Sequence, residues 1–417
     1  MDTTESSRKR QNSHKDPPPP EHQQKKSKMS VPAAHQRNHY PGHTRLQYIQ
    51  EVLEMKNMID AGLSTWTGPS NKKEMESSFL FTPYVQSFAI QYAKSNPEDV
   101  DLLSESQKQT IISSLAGYCV QEEWDVLMGL LPGMVRAMIL EVFLETLIYK
   151  QIFERFFMAP FWYLDGKMSP SDEGDETFGT RLQHLYDRFY ETNPLMAAFW
   201  RSETNRLANA TAENLASSTL LATHHRNRRE SRLDQFVDDT LSSEPIKWLL
   251  REPSSKEEED ERYELLQCVY KIAAQKGVEI GTVRGHLDYQ TLAKLPETYT
   301  TGDGWRMLQH EYNPTNYDNI LDGRRILIVV YPGIIRRYIL ARHDHLTEFS
   351  LPAYVVVQKG PEENEDQKGP EGNEDHLTGF SLPPYVVVQK GPEGNEDQKG
   401  PEENEDQKGP EGNEDKF

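Results

Sequence analysis

The stretch Met134–Phe157, MVRAMILEVFLETLIYKQIFERFF, decides how the rest of this chain is read. Val135, Met138, Ile139, Val142, Thr146, Tyr149, Ile152, Phe153 and Phe156 recur at helical spacing, the pattern of a face turned to a core. Leu140, Phe143, Leu144, Leu147 and Ile148 widen that stripe. Only a narrow charged edge remains, made of Arg136, Glu141, Glu145, Lys150, Glu154 and Arg155. A helix apolar over most of its girth is surrounded by other elements, so the spacing predicts the central member of a helical bundle. Pro132-Gly133 marks its start, and the turn Ala159-Pro160-Phe161-Trp162-Tyr163-Leu164-Asp165 follows its end.

Helical signals continue on both sides. Leu46, Ile49, Leu53 and Ile59 share a face, and Gly62 supplies a stop. Ser104 with Gln107 forms a capping box ahead of Ile111, Ile112 and Leu115. A helix is expected over Arg181–Glu191, and another begins at Pro194 with Asn193 as its cap. Ser255 with Glu258 makes a second capping box for a helix running to Gly277. The character then changes. Arg325–Tyr331 is a short β-branched run closed by Pro332-Gly333, and Tyr354–Val357 is another, so both read as buried strands. The expected fold is mainly α: a helical bundle with a small β element at 324–358, within a globular domain of residues 44–358 that could divide into two subdomains.

Three phrases, Ala159–Asp165, Asn193–Ser202 and Arg325–Arg336, resemble a group of helical, uncharacterised predicted proteins of filamentous fungi. The resemblance covers roughly residues 45–358. It implies a helical fold, an intracellular setting and a fungal origin, and it carries no activity.

The two ends of the chain differ from its middle. Hydrophobic residues are 36% of the whole, below the usual share of about 45–50% that includes glycine. Residues 1–43 are Pro- and His-rich with few aliphatics, and cannot bury enough surface to offset the entropy of ordering. Residues 359–417 carry six Lys against seventeen acids, and read as a disordered acidic tail. The whole chain has a net charge of −20, and its acidic middle argues against nonspecific nucleic-acid binding by the core. No apolar run is long enough for a membrane helix, and no apolar stretch follows Met1. The two cysteines are too few for a disulfide framework or a cysteine-based metal site.

Residues 345–375 and 376–406 are two copies of one 31-residue unit, differing only at Glu348/Gly379, Ala353/Pro384, Glu363/Gly394 and Gly372/Glu403. Each copy holds one strand-forming box. The first follows the domain directly and is expected to supply its last strand. The second, with Tyr385, Val386, Val387 and Val388, is either idle or available for weak self-association with another chain's strand edge.

Few residues suggest chemistry. Arg8-Lys9-Arg10 and Lys25, Lys26 and Lys28 resemble a bipartite nuclear-import signal, the alternative being solvated basic charge. His224-His225-Arg226-Asn227-Arg228-Arg229 is a second basic knot, read as an exposed helix end. Asp234, Asp238 and Asp239 could hold magnesium for a diphosphate substrate, since hard cations take several carboxylate oxygens; charged helix ends beside Pro245 are the simpler account. No cofactor signature is present: Gly302-Asp303-Gly304 lacks the third glycine and preceding strand of a dinucleotide fingerprint. Two functions remain. One is a non-catalytic intracellular interaction protein with protein partners, nuclear or cytoplasmic. The other is a helical enzyme or carrier for an isoprenoid-like ligand with the three aspartates at its mouth.

Overall fold

A computed structural model describes residue 53 and residues 81–167, 171–209, 220–283, 285–303, 306–314, 319–339 and 345–360. The expected helix after Thr44 lies outside these residues apart from Leu53, which is helical and about half exposed. The basic clusters at Arg8–Lys28, the acidic tail and Tyr385–Val388 also lie outside them.

The order of elements is α1 (Thr82–Tyr92), α2 (Pro97–Asp101), α3 (Glu105–Ser114), α4 (Trp124–Leu130), α5 (Gly133–Ala137), α6 (Ile139–Ile152), a π-helical turn (Phe153–Phe157), α7 (Phe178–Thr192) and α8 (Pro194–Ala208). It continues with α9 (Leu220–Ser242), α10 (Glu244–Leu249), α11 (Lys256–Gly281), β1 (His286–Gln290), β2 (Met307–Gln309), β3 (Ile326–Tyr331), β4 (Gly333–Ile339), β5 (His345–Leu351) and β6 (Ala353–Val357). The described part is mainly helical with its strands in the C-terminal half.

The single helix expected over 134–157 is three pieces. Met138 leaves helical geometry at φ −106°, ψ 22°, separating α5 from α6. At the far end the ladder widens into the π turn, which places Phe153, Phe156 and Phe157 in the core and turns Glu154 outward. Gly277 of α11 lies against that turn: a side chain there would put its Cβ 2.7 Å from the Phe156 carbonyl oxygen. Gly277, where the sequence had suggested a stop, thus permits close packing within α11, which runs on to Gly281. The rings around the turn interlock edge to face, with Phe156 at 5.2 Å from Trp162, 5.7 Å from Phe236 and 5.8 Å from Tyr270. Aromatic contacts of this geometry add to the area they bury.

Capping follows the sequence closely. Ser104 and Gln107 bond reciprocally, and the Asn193 side chain accepts from the Met196 N–H. At α11 only half of the expected box forms. Ser255 Oγ accepts from the Glu258 N–H, whereas the Glu258 carboxylate turns to Ser254 and to the Arg251 guanidinium.

The β part is small but begins before the expected residue 324, with β1 and β2. β3 and β4, joined at Pro332, form one long arm; β5 and β6, joined at Pro352, form the returning arm. The arms pair antiparallel along their length, Ile339 with His345 through Ile334 with Leu351, then Tyr331 with Tyr354 through Ile326 with Val357. Proline lacks the N–H a central ladder needs, so both arms bend there and feed two separate sheets. One sheet has the order β1-β4-β5, the other β2-β6-β3. β6, the first copy of the repeated box, is a central strand, parallel to β2 and antiparallel to β3.

Candidate metal centre

Helix α9 carries two stripes at intervals of four residues. His225, Arg229, Leu233 and Val237 form the buried one; His224, Arg228 and Arg232 form a half-exposed one beside it. The basic knot is therefore not an exposed helix end. Its side chains meet the turn that follows the π segment, where Asp165 is 1% exposed. Gly166 lets the chain leave that aspartate with φ +66°, and a Cβ on it would strike the Phe178 ring at 2.7 Å.

The Asp165 carboxylate receives His224 Nε2 at 2.9 Å through Oδ2, the Lys167 N–H at 3.3 Å through Oδ1, and has Arg228 Nη1 at 3.6 Å. Burial alone would raise its pKa; the His224 hydrogen bond, the Lys167 N–H and the Arg228 charge outweigh that and hold it below the usual carboxylate range. His225 Nδ1 lies 2.9 Å from the Ala208 carbonyl oxygen, which can only accept. That nitrogen therefore carries the proton and Nε2 carries the lone pair. Burial lowers the His225 pKa, with the Ala208 carbonyl acting against that shift, so the ring is neutral near pH 7.

One ligand atom each from Asp165, His224 and His225 lies within 4.8 Å of the others. A tetrahedral zinc with ligands at about 2.0–2.2 Å separates its donors by roughly 3.3 Å. The Asp165–His224 contact at 2.9 Å is a hydrogen bond whose proton a metal would replace, and the three ligand atoms, within 4.8 Å of one another, would have to draw together around the ion. Two imidazoles and one carboxylate leave a fourth position open, the donor set of catalytic more than structural zinc sites.

The surroundings are built to hold these groups still. Tyr163 donates to Asn205 Oδ1 at 2.8 Å and accepts from Asn209 Nδ2 at 2.6 Å. Arg229 bonds Asn209 Oδ1 and lies 5.0 Å over the Tyr163 ring, which stands edge-on to His225 at 5.8 Å. Burial pushes the Tyr163 hydroxyl up to about 12. On the outer side Arg228 and Arg232 grip the Glu176 carboxylate at 2.8 and 3.1 Å.

The aspartates singled out in the sequence stand elsewhere on the same helix. Asp234 is ten residues from His224, about 15 Å along the axis at 1.5 Å per residue. Asp234, Asp238 and Asp239 are all exposed, and Asp234 Oδ1 accepts from Gln267 Nε2 at 2.5 Å. Among the described residues, the cluster of metal-ligating groups forms at the histidines and not at these acids.

A second polar cluster is enclosed by the fold. Glu141 and Glu145, one turn apart on α6, are about 95% buried rather than lying on a charged edge. Tyr312 donates to Glu141 Oε1, and His310 Nε2 lies 3.4 Å from Glu145 Oε2. Burial raises the Glu141 pKa, aided by Glu145 and Glu311 and opposed by the Tyr312 hydrogen bond. Neither cysteine offers a nucleophile: burial pushes the Cys119 thiol up to about 12 and raises Cys268 as well. No helix among the described residues is long and apolar enough to cross a membrane.

No family matches this chain. The same holds for the curated proteins and the solved structures, none of which is significantly similar to it.

The aspartate–histidine centre was hidden because its ligands are 59 residues apart. The usable signal was the repeat of His224, Arg228 and Arg232 at helical spacing, together with an aspartate ending an aromatic run.

Proposed function

We propose that this chain binds one divalent transition-metal ion, zinc by preference, through Asp165, His224 and His225. The observation that carries the reading is the convergence of three ligand atoms within 4.8 Å, one of them from a histidine whose Nδ1 is fixed by a backbone carbonyl. Such a partner sets the tautomer and orientation of a metal-binding imidazole. Two nitrogen donors and one oxygen suit zinc better than magnesium, which prefers oxygen throughout.

The role proposed is metal-dependent binding of a small anionic ligand. Charge narrows what completes the site. A dication with one carboxylate keeps a charge of +1 beside Arg228 and Arg229, so the fourth ligand is an anion: hydroxide, or a carboxylate or phosphate group of a small molecule. The alternative of magnesium at Asp234, Asp238 and Asp239 has only their exposed carboxylates for support, and one of those is already engaged by Gln267.

The test is a cobalt(II) and zinc titration of the full chain after removal of bound metal, read by calorimetry and by the visible absorption of tetrahedral cobalt. One site per chain is expected, with affinity falling at least about 100-fold in His225→Ala. Five of the thirteen histidines lie in residues 1–43 and could bind metal by themselves, so His225→Ala is the deciding variant. Binding that is unchanged in it would overturn the proposal.

A further inference from the structure

The repeated unit in the C-terminal part coincides with a structural unit. Residues 345–357 are the whole returning arm, β5 and β6 together. The second copy of that arm is His376–Val388, and it differs from the first at only two positions, Gly379 for Glu348 and Pro384 for Ala353. The first copy is held along its length by strand pairing. β5 pairs with β4; β6 lies between β2 and β3; and Val355, Val356 and Val357 are completely buried.

We infer that residues 376–389 are a spare arm, able to replace residues 345–358 in both sheets of the same chain. Almost every bond that holds β6 comes from backbone groups that the second copy also possesses. The Val355 carbonyl accepts from His310 N–H and Asn313 Nδ2, each at 2.8 Å; the Val357 N–H donates to Asn313 Oδ1 at 3.1 Å; and the Gln358 N–H donates to the Arg325 carbonyl at 2.9 Å. Val386, Val388 and Gln389 would supply the same groups.

The two differences explain why the first copy is the occupant. The Ala353 N–H donates to the Arg306 carbonyl at 2.8 Å, and Pro384 has no N–H to give. Ala353 is also fully buried, so a proline ring must displace its neighbours. Position 348 is paired with Arg336 in the β4–β5 register, and a glycine there, as Gly379 would be, weakens a strand interior. Replacement also lengthens the connection after β4 from five residues to thirty-six, which weakens closure about 20-fold. The penalty is modest because loop entropy grows only with the logarithm of length. A linker of this size still presents the spare arm to its own slot at a high effective concentration, ahead of a second chain at micromolar levels.

Full-length variants test this by non-additivity. Val356→Asp places a charge in the core and disables the first copy. Val387→Asp does the same to the second. Val387→Asp alone is expected to leave the melting temperature unchanged. Val356→Asp alone should keep a cooperative transition at a lowered temperature, and the double variant should lose that transition altogether. Adding Gly379→Glu and Pro384→Ala to Val356→Asp makes the spare arm identical to the original, and should recover most of the lost melting temperature. If Val356→Asp unfolds as fully as the double variant and the repaired arm does not restore it, the inference fails. If Val356→Asp folds only as a dimer, replacement within one chain is overturned and the arm is exchanging between chains.

Discussion

Two buried clusters in this domain each combine a carboxylate with a histidine, and they differ in what is left over. In the enclosed cluster His310 has nothing to spare. The Tyr312 N–H approaches its Nδ1 at 3.3 Å and can only donate, so Nδ1 uses its lone pair there and Nε2–H points at Glu145. In the Asp165 cluster His225 spends its proton on the Ala208 carbonyl and keeps a lone pair, while half-exposed His224 gives the site an edge to solvent. A buried polar group whose donors and acceptors are all matched serves the fold. One with a matched donor and an unused acceptor can serve a ligand.

Removing His310 should have the largest effect on stability. Glu145 would then be a buried acid without its nearest partner, and the Tyr312 N–H would lose its acceptor. His310→Ala should cost about 3 kcal/mol in chemical denaturation, since orphaning one member of a buried pair exposes the full desolvation penalty of the other. Its zinc affinity should equal that of the parent chain.

Zinc supplies the next largest effect. Ligand present at about 100 times its dissociation constant should stabilise the folded chain by roughly 2.7 kcal/mol, and His225→Ala should abolish that gain. Because both imidazoles must be neutral to bind, the stabilisation should fade as the medium is acidified. An equal gain in the variant would show that zinc acts elsewhere.

These contrasts could be read only in part from the sequence. Periodicity located the buried segment, since local side-chain spacing is enough to define an apolar face, but it did not show the break at Met138 or the π turn at Phe153–Phe157. It misplaced Glu141 and Glu145 on an exposed edge, since burial there depends on Tyr312 and His310 more than 160 residues away. Capping boxes were legible because their partners are three residues apart. The arm formed by β5 and β6 was half visible: the β-branched box stood out, whereas HLTEFSL has neither strict alternation nor an apolar run. The basic knot on α9 was read by charge, although its buried half is set by the network of Tyr163, Asn205 and Asn209.

The finest distinction between the clusters is the sign of their pH dependence. The folded state lowers the Asp165 pKa, so this group contributes stability above its unfolded value and loses it as pH falls through the folded one. The folded state raises the Glu141 pKa, so its favourable contribution is complete below the unfolded value and is lost as pH rises through the folded one. Neutral amides at these positions should therefore act in opposite directions. Asp165→Asn should destabilise the chain near pH 7, and Glu141→Gln should stabilise it by about 1 kcal/mol, because Tyr312 can still donate to the amide oxygen. Both differences should shrink toward zero in acid, where the parent carboxyls are themselves protonated. Denaturation midpoints across pH 4–8 should show Glu141→Gln above the parent at neutral pH and meeting it at the acid end, whereas Asp165→Asn should lie below the parent and approach it only under pH 4, because the folded Asp165 carboxyl titrates below the ordinary carboxylate range. If Glu141→Gln were destabilising throughout, the Glu141 carboxylate would have to be ionised and well solvated in the fold, and the enclosed cluster would lose the property that separates it from the site on α9.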